Sequence, residues 1–231
     1  MAGSPTRRGF LGSAATAAAV GLAGCTGGGG GNGDSDDEAG VALADHPLGE
    51  DLDRWPHLGP DPFEAPATLV VLDDPSCPTC ARFHRNTITE LESSYVADGD
   101  LALAIRPYPV VYPWGEPAAH ILEATVPRDE GVFWDLLEQY FADQDAFNTD
   151  NVRSRSETWL EENTDLDAAA VIDDADSEPA TSRIEATLSA GEEAGAGSVT
   201  PATFAFVDGT LRTSLNGSVS TNTVETALEL G

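Results

Sequence analysis

The sequence predicts an α/β domain: a small sheet of four strands, with helices between them and one long helical block interrupting the strand series. Three observations carry that expectation. Short apolar, β-branched runs bounded by turn residues recur at Ala67–Leu72, Leu101–Ile105, Phe204–Val207 and Thr210–Leu215. Apolar residues at helical spacing dominate from Glu116 to about Gly195. The motif Cys77-Pro78-Thr79-Cys80 stands where the first strand gives way to the first helix.

Each element follows from its residues. Ala67-Thr68-Leu69-Val70-Val71-Leu72 has no polar alternation, as a central strand covered on both faces requires. Asp73-Asp74-Pro75-Ser76 breaks it. Pro78 suits a helix start, where its missing N–H is no loss, and Phe83, Thr87, Ile88 and Leu91 keep helical spacing to about Tyr95. Asp98-Gly99-Asp100 turns the chain into the second strand, which Arg106-Pro107 ends. Tyr108 to Trp114 is irregular, and Pro117 opens the helical block. Val132, Phe133, Leu136, Leu137, Tyr140 and Phe141 form its clearest stripe, followed by weaker helices near 152–162, 167–173 and 178–193. Gly191, Gly195 and Gly197 read as loosening the exit. Asp208-Gly209 is a hairpin signal between the third and fourth strands, and Thr221 to Leu230 reads as a final helix. Trp114, Trp134 and Trp159 read as core.

The chain has 231 residues, 40 acidic and 11 basic, for a formal charge of −29. All eleven basic residues are arginine. Such a surface repels a phosphate backbone, so nucleic-acid binding is excluded. Acids spread along the chain without lysine favour adaptation to molar salt over an acidic face for basic partners. This composition resembles that of proteins from salt-accumulating halophilic archaea.

The N-terminus reads as an address. Thr6-Arg7-Arg8-Gly9-Phe10-Leu11 resembles a twin-arginine export motif, and the apolar stretch to Ala23 is too short for a stable span. Leu22-Ala23-Gly24-Cys25 resembles a lipobox, whose cysteine is lipidated. Residues 1–24 are thus expected to be a signal peptide, 25–45 a flexible Gly-rich acidic tether, and 46–231 the folded domain with its helical insertion at about 115–197. Losing Arg7 and Arg8 would move the formal charge from −29 to −31. The expected location is outside the cytoplasm, on the membrane through lipid at Cys25.

With Cys25 lipidated, Cys77 and Cys80 are the thiols left to the domain. A ring closed across two residues removes little chain entropy, so it is a poor staple and a better working redox couple. A Cys77 thiolate at a helix start would be favoured by backbone N–H groups. The alternative is a metal-binding lipoprotein holding a soft ion such as Cu(I) through Cys77, Cys80 and His84. No methionine cluster supports it, and His84 reads as a helix-surface residue. No other metal site is assigned.

The element order, the Cys-Pro-x-Cys motif, the helical block and Thr200-Pro201 ahead of the third strand together resemble the thioredoxin superfamily, in particular its DsbA-type branch. The resemblance covers about Ala67 to Leu230 and implies a thioredoxin-like fold with a helical insertion before the cis-proline strand. It implies thiol–disulfide oxidoreductase activity with no metal, nucleotide or flavin. Cys77 matches the exposed nucleophile and Cys80 the buried resolving thiol; Pro78 and Thr79 match the dipeptide that tunes them. Pro201 matches the cis-proline facing the pair, with Thr200 before it. Implied partners are thiols and disulfides of exported proteins and a membrane redox partner. Relatives often carry a buried acid six residues before the first cysteine, where this chain has Val71. Asp73 and Asp74 are the candidates to replace it, and each reads as a solvated turn residue.

Overall fold

The computed structural model describes residues 39–231; the expected signal peptide, Cys25 and the first part of the tether lie outside the described residues. Five strands form one sheet: β1 (His57–Leu58), β2 (Ala67–Asp73), β3 (Leu101–Pro107), β4 (Ala202–Val207) and β5 (Thr210–Asn216). Their order is β1-β3-β2-β4-β5. β2 and β3 run parallel, and the other neighbours are antiparallel. The two central strands are buried along their whole length, as their unbroken apolar runs require. β3 extends through Arg106-Pro107 because it stays in register with the end of β2, pairing Pro107 with Asp73. Proline is tolerated there at a strand end. β1 was not expected; two residues carry no periodicity to read.

The first helix runs from Pro78 to Val96 in four pieces: α1 (Pro78–Phe83), a π-helical stretch His84–Ile88, α2 (Thr89–Leu91) and a second π stretch Glu92–Val96. The block then comprises α3 (Gly115–Thr125), α4 (Glu130–Ala142), α5 (Val152–Asn163), α6 (Ala168–Ala175) and α7 (Glu178–Glu193); α8 (Thr221–Ala227) closes the domain. Asp129, Asp167 and Ser220 cap α4, α6 and α8 by accepting backbone N–H bonds. The β4–β5 hairpin turns through Asp208 and Gly209, both with positive φ, the backbone a tight two-residue turn needs.

Because side chains alternate across a strand, the sheet builds two cores. Leu69, Val71, Leu103 and Ile105 face one cluster, shared with Cys77, Cys80, Phe83 and helices of the insertion. Val70, Leu72, Phe204 and Phe206 face the other, shared with α7 and the N-terminal turns. A buried side chain of this size contributes about 1.5–3 kcal/mol.

Two expectations are corrected. Residues 40–45, placed in the tether, are packed: Gly40 and Leu43 donate to Leu211 and Gly209 carbonyls, Val41 accepts from Leu211, and Leu43 is buried. They run along β5, and Leu43, Leu48 and Leu52 fill the second core. The glycines and acids of the preceding segment masked this apolar spacing. Gly191 does not loosen an exit but lies buried within α7; a Cβ there would stand 2.4 Å from the Tyr108 ring, so the helix can approach only as glycine.

Candidate active site

β2 delivers the chain to the site. At its end Asp74 is buried, and its carboxylate accepts from Ser76 N and Oγ at 2.7 and 2.6 Å and from Val110 and Val111 N at 2.8 and 2.7 Å. One side chain thus ties the loop before the cysteines to the loop after β3. Burial raises its pKa, against the pull of those four donors. Gly115 opens α3 directly above, where a Cβ would stand 2.5 Å from Asp74 Oδ1. From the insertion, Gln144 Nε2 donates to the Pro75 carbonyl at 2.9 Å.

Cys77 is the N-cap of α1, and Pro78 occupies the first turn. Its sulfur accepts from Cys80 N at 3.4 Å and donates to the Thr200 carbonyl at 3.5 Å. The Thr200–Pro201 bond is cis, and the Thr200 carbonyl lies against the Cys77 sulfur. The two thiols are unbridged and unlike, and Cys77, expected to be exposed, is itself buried at 4% exposure. A hydrogen bond from the Cys80 thiol, with further help from Thr200 and from the backbone at Cys80 and Thr79, outweighs burial and lowers the Cys77 pKa from 9.0 to about 6. Cys80 is 0% exposed, and burial, the bond to Cys77 and the nearby Asp73 charge push its thiol far upward. Proton loss is therefore favoured at Cys77, where the thiolate would give up the bond to the Thr200 carbonyl, and disfavoured at Cys80. Thr79 accepts from Arg82 at 3.3 Å, and Pro78 is exposed at the rim.

A groove of about 810 Å³ opens beside Cys77, lined by Pro78, Arg82, Arg85, Tyr112, Trp114 and Phe147 among others. Trp114 stacks on Phe147, with ring centroids 5.5 Å apart. Val111, Tyr112 and Val199 are exposed large apolar side chains on the two loops that flank the cysteines. Sequence reasoning did not assign this rim. Its signal was the apolar and aromatic content of a segment too irregular to bury it.

Neither acid ahead of the motif is a solvated turn residue: Asp73 is 1% and Asp74 0% exposed. His84 is not a helix-surface residue either. Its Nε2 lies 2.5 Å from Asp73 Oδ2, its side chain is 16% exposed, and its ring packs on Phe141 at 4.5 Å. The sequence showed only that His84 is one turn beyond Cys80; the strand that brings Asp73 beneath it is a tertiary matter. Among the described residues no three His, Cys, Asp or Glu side chains converge as metal ligands. The imidazole turns to Asp73, so the trio Cys77, Cys80 and His84 is not assembled.

A family model described as Thioredoxin matches residues 58–228. No curated protein sequence matches the chain. Among solved structures, BdbD from Bacillus subtilis superposes with a TM-score of 0.65 at 20% identity, over 77% of this chain and 95% of that one. Alpha-DsbA1 from Wolbachia pipientis gives 0.62 at 17% identity, over 76% of this chain and 91% of that one. Alpha-DsbA2 from the same organism, described as a thiol-disulfide exchange protein, gives 0.61 at 17% identity, over 79% and 92%. At these identities the likeness is one of fold: a thioredoxin-like sheet with a helical insertion ahead of the cis-proline strand. The chain belongs to the thioredoxin family, with the DsbA-like form of its fold.

Proposed function

We propose that the protein is an exported, lipid-anchored thiol–disulfide oxidoreductase that uses Cys77 and Cys80 to introduce disulfides into other exported proteins. The observation that carries this reading is the asymmetry of the pair: both sulfurs are buried, but Cys77 is stabilised as thiolate and next to the Thr200 carbonyl, whereas Cys80 is held as thiol. A substrate thiolate attacks Cys77 of the oxidised pair, breaking the Cys77–Cys80 bond and forming a mixed disulfide. A second substrate thiolate attacks the substrate sulfur and releases Cys77 as thiolate. The substrate is oxidised by two electrons and the pair is reduced by two. A membrane redox partner would then withdraw those electrons. A lowered Cys77 pKa stabilises the reduced form and so favours the oxidising direction.

Pro201 is assigned the pairing of substrate backbone beside the sulfur, with the Thr200 carbonyl tuning Cys77. Pro78 and Thr79 are the tuning dipeptide. No helix among the described residues is long and apolar enough to cross a membrane. Membrane attachment is assigned to Cys25 and export to Arg7 and Arg8 on their lipobox-like and twin-arginine-like motifs. Molar salt reduces the screening length to about 3 Å, so local contacts rather than net charge would set the potential.

The test is an equilibrium redox titration of the Cys25→Ala protein in molar salt. A reversible two-electron couple, more oxidising than cytosolic thioredoxin's, is expected. A strongly reducing couple would reassign the protein as a reductant, and no couple at all would end the redox reading. Replacing Arg7 and Arg8 by Lys is expected to keep the protein inside the cell, and Cys25→Ala to release it from the membrane.

A further inference from the structure

Two of the eleven arginines, Arg7 and Arg8, lie outside the described residues. Of the rest, Arg54, Arg128, Arg153, Arg155, Arg183 and Arg212 each hold a carboxylate in an ion pair. Arg106 is buried. Arg82 and Arg85 remain: both are exposed, and neither has a carboxylate in ion-pair reach among the described residues. In a chain with 40 acids, an exposed guanidinium without one stands out, and both of these line the groove beside Cys77. Arg82 donates to Thr79 Oγ1 at 3.3 Å, which sets its guanidinium against the dipeptide between the cysteines. Arg85 donates to the Phe141 carbonyl at 3.5 Å. Each guanidinium keeps further N–H donors beyond the one spent on an uncharged oxygen. The insertion lines the same groove with Asp143, already paired to Arg155 at 3.0 Å, and with the exposed Asp145. The first helix therefore gives the groove its cationic side, and the insertion gives it a neutral to acidic one.

We propose that Arg82 and Arg85 are specificity determinants that select substrate segments carrying aspartate or glutamate beside the reacting cysteine. The proposal rests on the reading of Cys77 and Cys80 as a redox couple. Charge complementarity names the occupant: the planar guanidinium fork matches a carboxylate with two parallel hydrogen bonds. A lysine- or arginine-flanked cysteine would instead meet two like charges, which discriminates against it. The formal charge of −29 repels an acidic segment at long range in dilute buffer. In molar salt the screening length is about 3 Å, so pairing at contact is what remains, and the two arginines supply it. The substrate thiolate then bonds to Cys77, the Cys77–Cys80 bond breaks, and its electron pair leaves on the Cys80 sulfur. The arginines take no part in that exchange; they are positioning residues that hold the segment around the substrate sulfur.

The experiment reacts the oxidised full chain, in molar salt, with three cysteine peptides of equal length whose cysteine is flanked by glutamate, glutamine or lysine. Each rate is divided by that peptide's rate with an uncharged small-molecule disulfide, which removes differences in the thiol itself. The glutamate peptide is expected to react about fivefold faster than the glutamine peptide, and the lysine peptide slowest. Arg82→Glu combined with Arg85→Glu is expected to reverse that order. Arg82→Lys with Arg85→Lys is expected to keep the order with a smaller ratio, because the charge stays and the fork is lost. The same change of charge made elsewhere, Arg54→Glu with Arg212→Glu, is expected to leave the ratio in place. Equal normalised rates for the three peptides overturn the specificity and leave the redox reading standing. A reversal caused equally by the Arg54 and Arg212 pair makes the effect one of net charge and overturns the proposal. No reaction of the unsubstituted protein with any peptide overturns the redox reading and the specificity together. Should the reversal variant fail to fold, Arg82→Gln with Arg85→Gln decides: a ratio falling to about one supports the proposal, and a retained ratio overturns it.

Discussion

The two faces of the sheet bury polar groups in opposite ways. On the face carrying α7, Arg106 is 2% exposed and holds structure together through its terminal nitrogens. It donates to the Leu48 carbonyl at 3.0 Å and to Thr187 at 3.4 Å, and its guanidinium lies 5.3 Å over Trp55. Arg183 covers the same indole at 5.0 Å and pairs with the buried Glu123 at 2.6 Å. His46 accepts from Leu48 N within that core. These groups staple the N-terminal turns to the domain. On the face carrying α1, the buried polar groups include the cysteines, Asp73 and Asp74, and a groove and a cavity open nearby. The difference teaches that burial alone does not mark a site. What marks it here is an asymmetric pair of sulfurs at an opening.

The most severe way to break that comparison is to remove a sulfur. Cys77→Ser is expected to abolish exchange with substrate thiols, whereas Cys80→Ser is expected to accumulate mixed disulfides on Cys77, both readable by mass spectrometry. Matching losses without trapped species would remove the asymmetry from the argument. Next in size is the staple. Leu43→Ala empties a position in the second core and is expected to cost about 2–5 kcal/mol in denaturant unfolding, while leaving the redox potential in place. An unaltered stability would return residues 40–45 to the tether.

A smaller effect is expected at the loop tie. Asp74→Asn replaces an acceptor of four donors by a group that must itself donate, leaving a buried N–H unpaired at about 1–3 kcal/mol. Unlike Leu43→Ala, it is also expected to shift the Cys77 potential, because the tied loop positions the cysteines.

The mildest test is a comparison of pH dependences. Burial raises Glu123 from 4.5 to about 7, so the folded state prefers it protonated. Its contribution is fully present below pH 4.5 and is lost as pH rises through 7. Cys77 has the opposite sign: with a folded value near 6 against 9.0, it stabilises the reduced protein above pH 9, and that contribution is lost as pH falls through 6. Glu123→Gln is expected to flatten the unfolding free energy between pH 4.5 and 7 in both redox states. Cys77→Ser, which cannot form the disulfide, is expected to show a flatter profile between pH 6 and 9 than the reduced unsubstituted protein. Thermal melts across pH would separate the two.

Much of the fold was legible in one dimension because its signals are local. Four of the five strands, the helix starts at Pro78 and Thr221, the hairpin at Asp208-Gly209 and the Cys pair all rest on residues near one another in the chain. Apolar periodicity, proline at a helix start and Asp-Gly turns act over a few residues, so sequence suffices for them. Asp73, Asp74 and His84 were misplaced on the surface for the converse reason. Acids in a turn signal solvent unless something distant supplies donors. Here Val110 and Val111 serve Asp74 from the far side of β3, and an imidazole on the next helix serves Asp73.

The chain by itself thus determined the strand and helix series, the cysteine pair at a helix start and the acidic, lysine-free composition, each a matter of residue type and short spacing. Only the tertiary structure decided that Asp73 and Asp74 are buried. It also decided that residues 40–45 belong to the core. Those outcomes depend on desolvation and on donors contributed across long stretches of chain, and neither exists until the sheet and its insertion close around the cysteines.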